Sequence, residues 1–106
     1  MTRDTIRGSS DRSILILTSL ADWPKHGYAL IKDIEGFAGV RLGPGTLYSA
    51  LAKLERAGLV EALPAEDRRR PYRLSAAGAE GLAAHLATAQ QVTATGLRRL
   101  ELRLAR

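Results

Sequence analysis

The sequence predicts a mainly α-helical fold with one small β-hairpin and a long carboxy-terminal helix. Three observations carry that expectation. Apolar residues recur at helical spacing in three successive stretches ahead of residue 60. Two short segments of period-two alternation flank a polar stretch of hairpin-loop length, Pro64 to Arg69. A leucine-rich stripe with a period near 3.6 then runs from Leu82 to Leu104.

At 106 residues the chain has the size of one domain. It lies near the lower end for a self-sufficient core, so burying more surface in an oligomer would help it. Sixteen Lys plus Arg against eleven Asp plus Glu give a net charge of +5. That balance favours a polyanionic partner, the plain alternative being a soluble protein that happens to be arginine-rich. The absence of cysteine excludes disulfides, thiol redox chemistry and thiolate metal sites. The longest apolar run, Ile14 to Leu17, is far shorter than a membrane span, and no signal-peptide pattern opens the chain. A cytoplasmic location is the default expectation.

Residues 1–10 lack an apolar period and read as a flexible arm. Asp11 offers a helix cap, and Ile14, Leu15, Leu17, Leu20 and Ala21 carry a first helix that Trp23-Pro24 ends. Trp23 is expected to plug the core between the first two helices, with a contact to a partner's last helix as the alternative. Lys25-His26-Gly27 reads as a turn. A second helix over Tyr28 to Phe37 places Tyr28, Ile31, Ile34 and Phe37 or Ala38 inward, and Lys32, Asp33 and Glu35 outward.

Gly43-Pro44-Gly45-Thr46 opens a third helix, Pro44 suiting a first-turn position where its missing N–H is not needed. At 100° per residue Leu47, Ala50, Leu51, Leu54 and Gly58 fall on one side, and Thr46, Ser49, Ala52, Lys53 and Arg56 on the other. A face that is small, hydroxylated and basic suits a DNA groove. Leu59 to Leu63 and Arg70 to Leu74 alternate as two strands, and Pro71 implies an edge position or a bulge. Ser75 caps a last helix that reaches Arg106. Its stripe of Leu82, Leu86, Ala89, Val92 or Thr93, Leu97, Leu100 and Leu104 is too long for a small domain to cover. The same helix of a second chain is the simplest cover, making these residues a homodimer interface; the alternative, open for the first turns, is that the helix folds back on its own domain.

Three helices, a two-stranded wing and a long helix, in that order, make a winged helix-turn-helix with a dimerisation tail. The expected division is an arm at 1–10, a DNA-binding domain at 11–74 and a dimerisation helix at 75–106. The sequence here resembles the PadR family of bacterial transcriptional regulators. The resemblance rests on His26-Gly27-Tyr28-Ala29-Leu30, on Pro44-Gly45-Thr46-Leu47-Tyr48 with Leu51, Leu54-Glu55 and Gly58-Leu59, and on Arg70-Pro71-Tyr72-Arg73-Leu74-Ser75-Ala76-Ala77-Gly78. It spans about residues 12 to 82 and implies a dimeric repressor-type regulator of the family's shorter form, with a single carboxy-terminal helix. The chain departs from that pattern in its short wing, in Ser75 where threonine is usual, and in the lack of aromatic residues in the last helix.

In such a molecule the third helix enters the major groove. Thr46 and Ser49 meet base edges or phosphate, Tyr48 meets a phosphate from the flank or stays a wet core-edge aromatic, and Lys53 reaches phosphate or guanine. Arg68, Arg69 and Arg70 on the wing meet backbone or a minor groove, or else form a solvated hairpin tip. The expected partners are double-stranded DNA, a second copy of the chain and a small-molecule inducer acting at the last-helix interface; no membrane or cofactor is expected. His26 and His85 lack a second ligand at metal spacing, so no metal site is expected. No nucleophile, base and orienting acid converge, so an enzyme is not expected. The rival from another class is a winged-helix protein-interaction module that does not bind DNA. The clustered charge of Lys53 and the wing arginines disfavours it, because protein-binding faces favour aromatics over clustered charge.

Overall fold

Ile16, Leu30, Ile34, Leu47 and Leu51 are wholly buried, and together they join the three amino-terminal helices into one core. The computed structural model describes residues 11–105; the arm expected at 1–10 and the last residue of the expected tail lie outside the described residues. Helix α1 (Asp11–Ser19) is shorter than expected. Its last turn closes through Leu20 and Ala21, whose N–H groups donate to Ile16 and Thr18 carbonyls at 3.1 and 3.2 Å. The ammonium of Lys25, only 8% exposed, then folds back to donate to the Ser19 carbonyl and, at 2.6 Å, to Asp22 Oδ1. A cation satisfying the terminal carbonyls of a helix is favourable. That hydrogen bond from Lys25 is the main reason the Asp22 carboxyl titrates below the usual aspartate range.

Trp23 does not plug the core. It is 63% exposed, with Lys25 Nζ 5.0 Å from its ring centroid. Aliphatic side chains, among them Leu17, Leu20, Leu30 and Ile34, fill the space assigned to it.

The expected turn at Lys25-His26-Gly27 is also corrected. Lys25–His26 form strand β1, opposite Tyr72 and Pro71 of the returning wing strand. Two residues are too few to show alternation in a sequence. With β2 (Val60–Ala62) and β3 (Pro71–Leu74) the ribbon becomes a three-stranded antiparallel sheet of order β1-β3-β2. Pro71 therefore opens the central strand rather than lying on an edge. It still accepts from the Leu63 N–H at 2.8 Å, but it cannot donate in return. Arg70 Nη1 donates to the Leu63 carbonyl instead, at 3.4 Å.

Helix α2 (Gly27–Ala38) buries Ile34 and packs Ile31 against the core as expected, but its inward face is rotated toward Leu30. Tyr28 and Phe37 are 65% and 49% exposed, while Gly27, Leu30 and Ile34 are buried. Asp33, expected outward, accepts from the Ser19 hydroxyl at 2.6 Å. The i, i+3, i+4 pattern fits either register, and packing against α1 selects the one through Leu30.

Helix α3 (Pro44–Arg56) buries Leu47, Leu51 and Leu54 as its spacing requires. It ends in a Schellman motif: Gly58 N–H donates to Glu55 O at 3.0 Å and Leu59 N–H to Leu54 O at 2.9 Å. Gly58 takes φ +78°, a value side-chain-bearing residues disfavour, and is exposed rather than part of the apolar face.

Helix α4 (Ala76–Leu104) starts where Ser75 predicts, the Ser75 Oγ accepting from Gly78 N–H at 3.0 Å. The same hydroxyl donates to the Gly58 carbonyl at 2.6 Å, and Ser75 N–H donates to Leu59 O at 3.1 Å. Within α4 only Gly78 and Leu82 are buried. Leu82, expected in the dimer stripe, belongs instead to the core of its own chain, because the first turns of α4 pack back on the domain. The rest of the helix projects, giving extents of 60 × 26 × 25 Å.

Candidate nucleic-acid interface

Once Leu47, Leu51 and Leu54 are committed to the core, helical geometry leaves Thr46, Ser49, Lys53 and Arg56 facing solvent. Thr46, Ser49 and Lys53 line one polar groove, whose opposite wall is the first turn of α1, Arg12 and Ser13. Arg12 was not among the residues singled out from the sequence. Its nearness to Lys53 is tertiary, and no local pattern announces it.

Tyr48 occupies neither the core nor open solvent. It is half-exposed, and its phenol lies over the start of α2, where a Cβ on Gly27 would sit 2.1 Å from the Tyr48 hydroxyl oxygen. The glycine of His26-Gly27-Tyr28 and the tyrosine of Thr46-Leu47-Tyr48 are thus two halves of one contact. Behind them Tyr72 titrates above the usual tyrosine range, chiefly because it is partly buried and further because Glu55 and Tyr48 are near.

The wing is tighter than its six-residue loop suggests. Glu66 and Arg69 exchange both backbone hydrogen bonds, at 2.7 and 2.8 Å, around Asp67 and Arg68, which have φ +48° and +69°. Positive φ at both central residues is the signature of a type I′ turn, which favours Asn-Gly or Asp-Gly. Here Arg68 stands where glycine would be at ease, and an L residue there costs about 1 kcal/mol. Arg68→Gly is expected to raise stability by about that amount in urea denaturation, while weakening any binding that uses the tip. The three wing arginines diverge: Arg68 caps the tip, Arg69 Nη1 lies 3.5 Å from His26 Nε2, and Arg70 turns to Leu63.

Ion pairing divides the cations into two sets. Lys25, Arg41 and Arg73 are neutralised by Asp22, Glu35 and Glu61 at 2.6, 2.9 and 2.7 Å. Among the described residues Lys53, Arg56, Arg68, Arg69 and Arg70 form no salt bridge, and neither do Arg12, Lys32, Arg98, Arg99 and Arg103 outside α3 and the wing tip. The outer face of α3 and the tip of the wing therefore carry uncompensated positive charge.

His26 caps α2 through Nδ1, accepting from Ala29 N–H at 3.5 Å, and His85 borders an apolar groove with Ile14, Leu17, Leu54 and Leu59. Among the described residues no three His, Cys, Asp or Glu side chains gather as a metal site, and no helix is long and apolar enough to cross a membrane.

A helix-turn-helix whose second helix offers hydroxyls and uncompensated cations, backed by a hairpin wing, defines the winged-helix class of DNA-binding domains. A family model described as the transcriptional regulator PadR-like family matches residues 16–84, and the chain belongs to that family, which comprises transcriptional regulators and not enzymes. The chain is 50% identical over 72 residues to an uncharacterized 37.1 kDa protein in transposon TN4556 of Streptomyces fradiae. That match covers 68% of this chain and 21% of the other, so the chain spans about a fifth of that relative. Among solved structures it is similar to a transcriptional regulator from Clostridium thermocellum, with 26% identity, TM-score 0.71 and coverage of 90% and 93% of the two chains. RosR of H. salinarum superposes with 27% identity, TM-score 0.71 and coverage of 81% and 78%. A PadR family regulator from Clostridium difficile R20291 shares the fold, with 22% identity, TM-score 0.76 and coverage of 84% and 97%.

Proposed function

We propose that the chain is a homodimeric repressor that holds an inverted-repeat operator through α3 and the wing and releases it when a small molecule reshapes the α4 interface. The observation that carries the DNA face is the placement of exposed hydroxyls and cations side by side: Thr46, Ser49 and Lys53 share one groove, and Lys53, Arg68, Arg69 and Arg70 have no carboxylate partner among the described residues. In this reading Thr46 and Ser49 meet base edges or phosphate, Lys53 meets guanine or phosphate, and Tyr48 meets phosphate from the flank. Arg68, Arg69 and Arg70 follow the backbone into the neighbouring minor groove. Leu86, Ala89, Thr93, Leu97, Leu100 and Leu104 supply the dimer seam. In a two-fold dimer the recognition helices lie roughly 34–36 Å apart, one turn of DNA, which is why the operator is an inverted repeat. An inducer that changes the seam changes that spacing, so its binding and DNA binding oppose each other through one two-state element.

The test is fluorescence anisotropy with duplex DNA from the upstream region of the chain's own gene, across a salt series. Lys53→Ala and Arg69→Ala are each expected to weaken binding by about tenfold and to flatten the slope of log affinity against log salt by roughly 0.9 per lost phosphate contact. Unchanged affinity and slope in both variants would remove the assigned DNA face. No binding by the wild-type chain at low salt would favour the protein-interaction module.

A further inference from the structure

We infer that Arg12, on the first turn of α1, is a further DNA-contacting residue and holds a phosphate of the strand on the side of α3 away from the wing. This rests on the reading of α3 as the recognition helix. The two flanks of α3 are built differently. At 100° per residue Thr46, Ser49, Ala50 and Lys53 occupy an arc of about 100°, and Tyr48 lies about 150° round from its centre. The Tyr48 side faces Gly27, and its neighbour His26 touches Arg69, so that flank is continuous with the wing. Among the described residues the opposite flank has no strand or hairpin; α1 borders it, through Arg12 and Ser13, which line the same groove as Thr46, Ser49 and Lys53.

A helix in the major groove is walled by two sugar-phosphate backbones about 12 Å apart. With the wing and Tyr48 serving one wall, the other needs its own cation, or the helix is free to roll about its axis. Among the described residues Arg12 is the α1 cation at that position. It is exposed, and among the described residues it forms no salt bridge, in contrast to Arg41 and Arg73. Its guanidinium can engage two phosphate oxygens at once, which fixes orientation as well as adding affinity. A phosphate contact carries no base information, so Arg12 sets the docking angle of α3 while Ser49 and Lys53 read sequence.

The experiment uses the full chain, a duplex selected from a random pool by the wild-type protein, and a scrambled duplex of equal length. Arg12→Ala is expected to weaken binding to both duplexes by a similar factor, about 5- to 10-fold, and to flatten the salt slope by roughly 0.9, with Arg12→Lys restoring the slope. Replacing single phosphates by neutral methylphosphonates locates the contact: one position per half-site, on the strand away from the wing, should weaken the wild-type protein but not Arg12→Ala. The inference is overturned if Arg12→Ala leaves affinity and slope unchanged while Lys53→Ala and Arg69→Ala alter them. It is likewise overturned if Arg12→Ala relaxes preference at one base pair, since that marks a base contact. If all three variants are silent, the reading of α3 itself fails. Arg12 is exposed and outside the core, and an unchanged circular dichroism spectrum verifies that the variant is folded.

Discussion

Gly78→Ala is expected to lower the unfolding free energy by about 3 kcal/mol in urea denaturation, the upper range for overpacking a close contact. A Cβ there would lie 2.1 Å from the Leu59 carbonyl oxygen and 3.0 Å from its carbon, and backbone of a Schellman turn cannot step aside as a flexible side chain can. The same peptide segment already accepts from Ser75 N–H and, at Gly58, from the Ser75 hydroxyl. The start of α4 is therefore clamped to the end of α3 at three points. Ser75→Ala removes the cap but opens no clash, so it is expected to cost only about 1 kcal/mol. Equal losses from the two substitutions would show that close approach at Gly78 is not what holds the joint. Because this joint links α3 to α4, Gly78→Ala should also misplace the two helices relative to each other in the molecules that remain folded.

On the proposed dimer, Leu97→Glu combined with Leu100→Glu is expected to give a folded monomer and to weaken operator binding by about a hundredfold. Leu97 and Leu100 are 62% and 55% exposed in the single chain, and Leu104 is 85% exposed. Burying each leucine in a seam contributes about 1.5–3 kcal/mol, and a glutamate in its place adds the cost of desolvating a charge. The loss on DNA follows from separating two half-site binders whose linkage multiplies affinity by about 10²–10⁴. Light scattering measures the mass, and helicity by circular dichroism shows that the domain survives, since neither leucine belongs to its core. A double variant that stays dimeric would place the interface elsewhere.

Features that depend on local chemistry were legible in the sequence. Pro44 at the head of α3, the Gly58-Leu59 end and the Ser75 cap each satisfy helix-end hydrogen-bonding groups within a few residues, so their spacing alone located α3 and the start of α4. The outward set Thr46, Ser49 and Lys53 followed from three leucines on the other face. What failed had the same cause each time. β1 is two residues long and exists only because β3 lies beside it; Trp23 is exposed because aliphatic side chains already fill the core; and Leu82 is buried because the first turns of α4 pack on their own domain.

By itself, then, the sequence determined the order of the helices and the two wing strands, the exposed hydroxyl-and-lysine face of α3, the arginine-bearing wing and membership of a family of regulators, because periodicity, caps and motifs are encoded within one or two turns. Only the tertiary structure decided the face α2 buries, the third strand, the strained Arg68 turn, the partition of paired and unpaired cations, and the nearness of Arg12 to Lys53. Those depend on groups far apart along the chain, whose meeting is set by packing volume and hydrogen-bond closure and leaves no periodic trace in the order of residues.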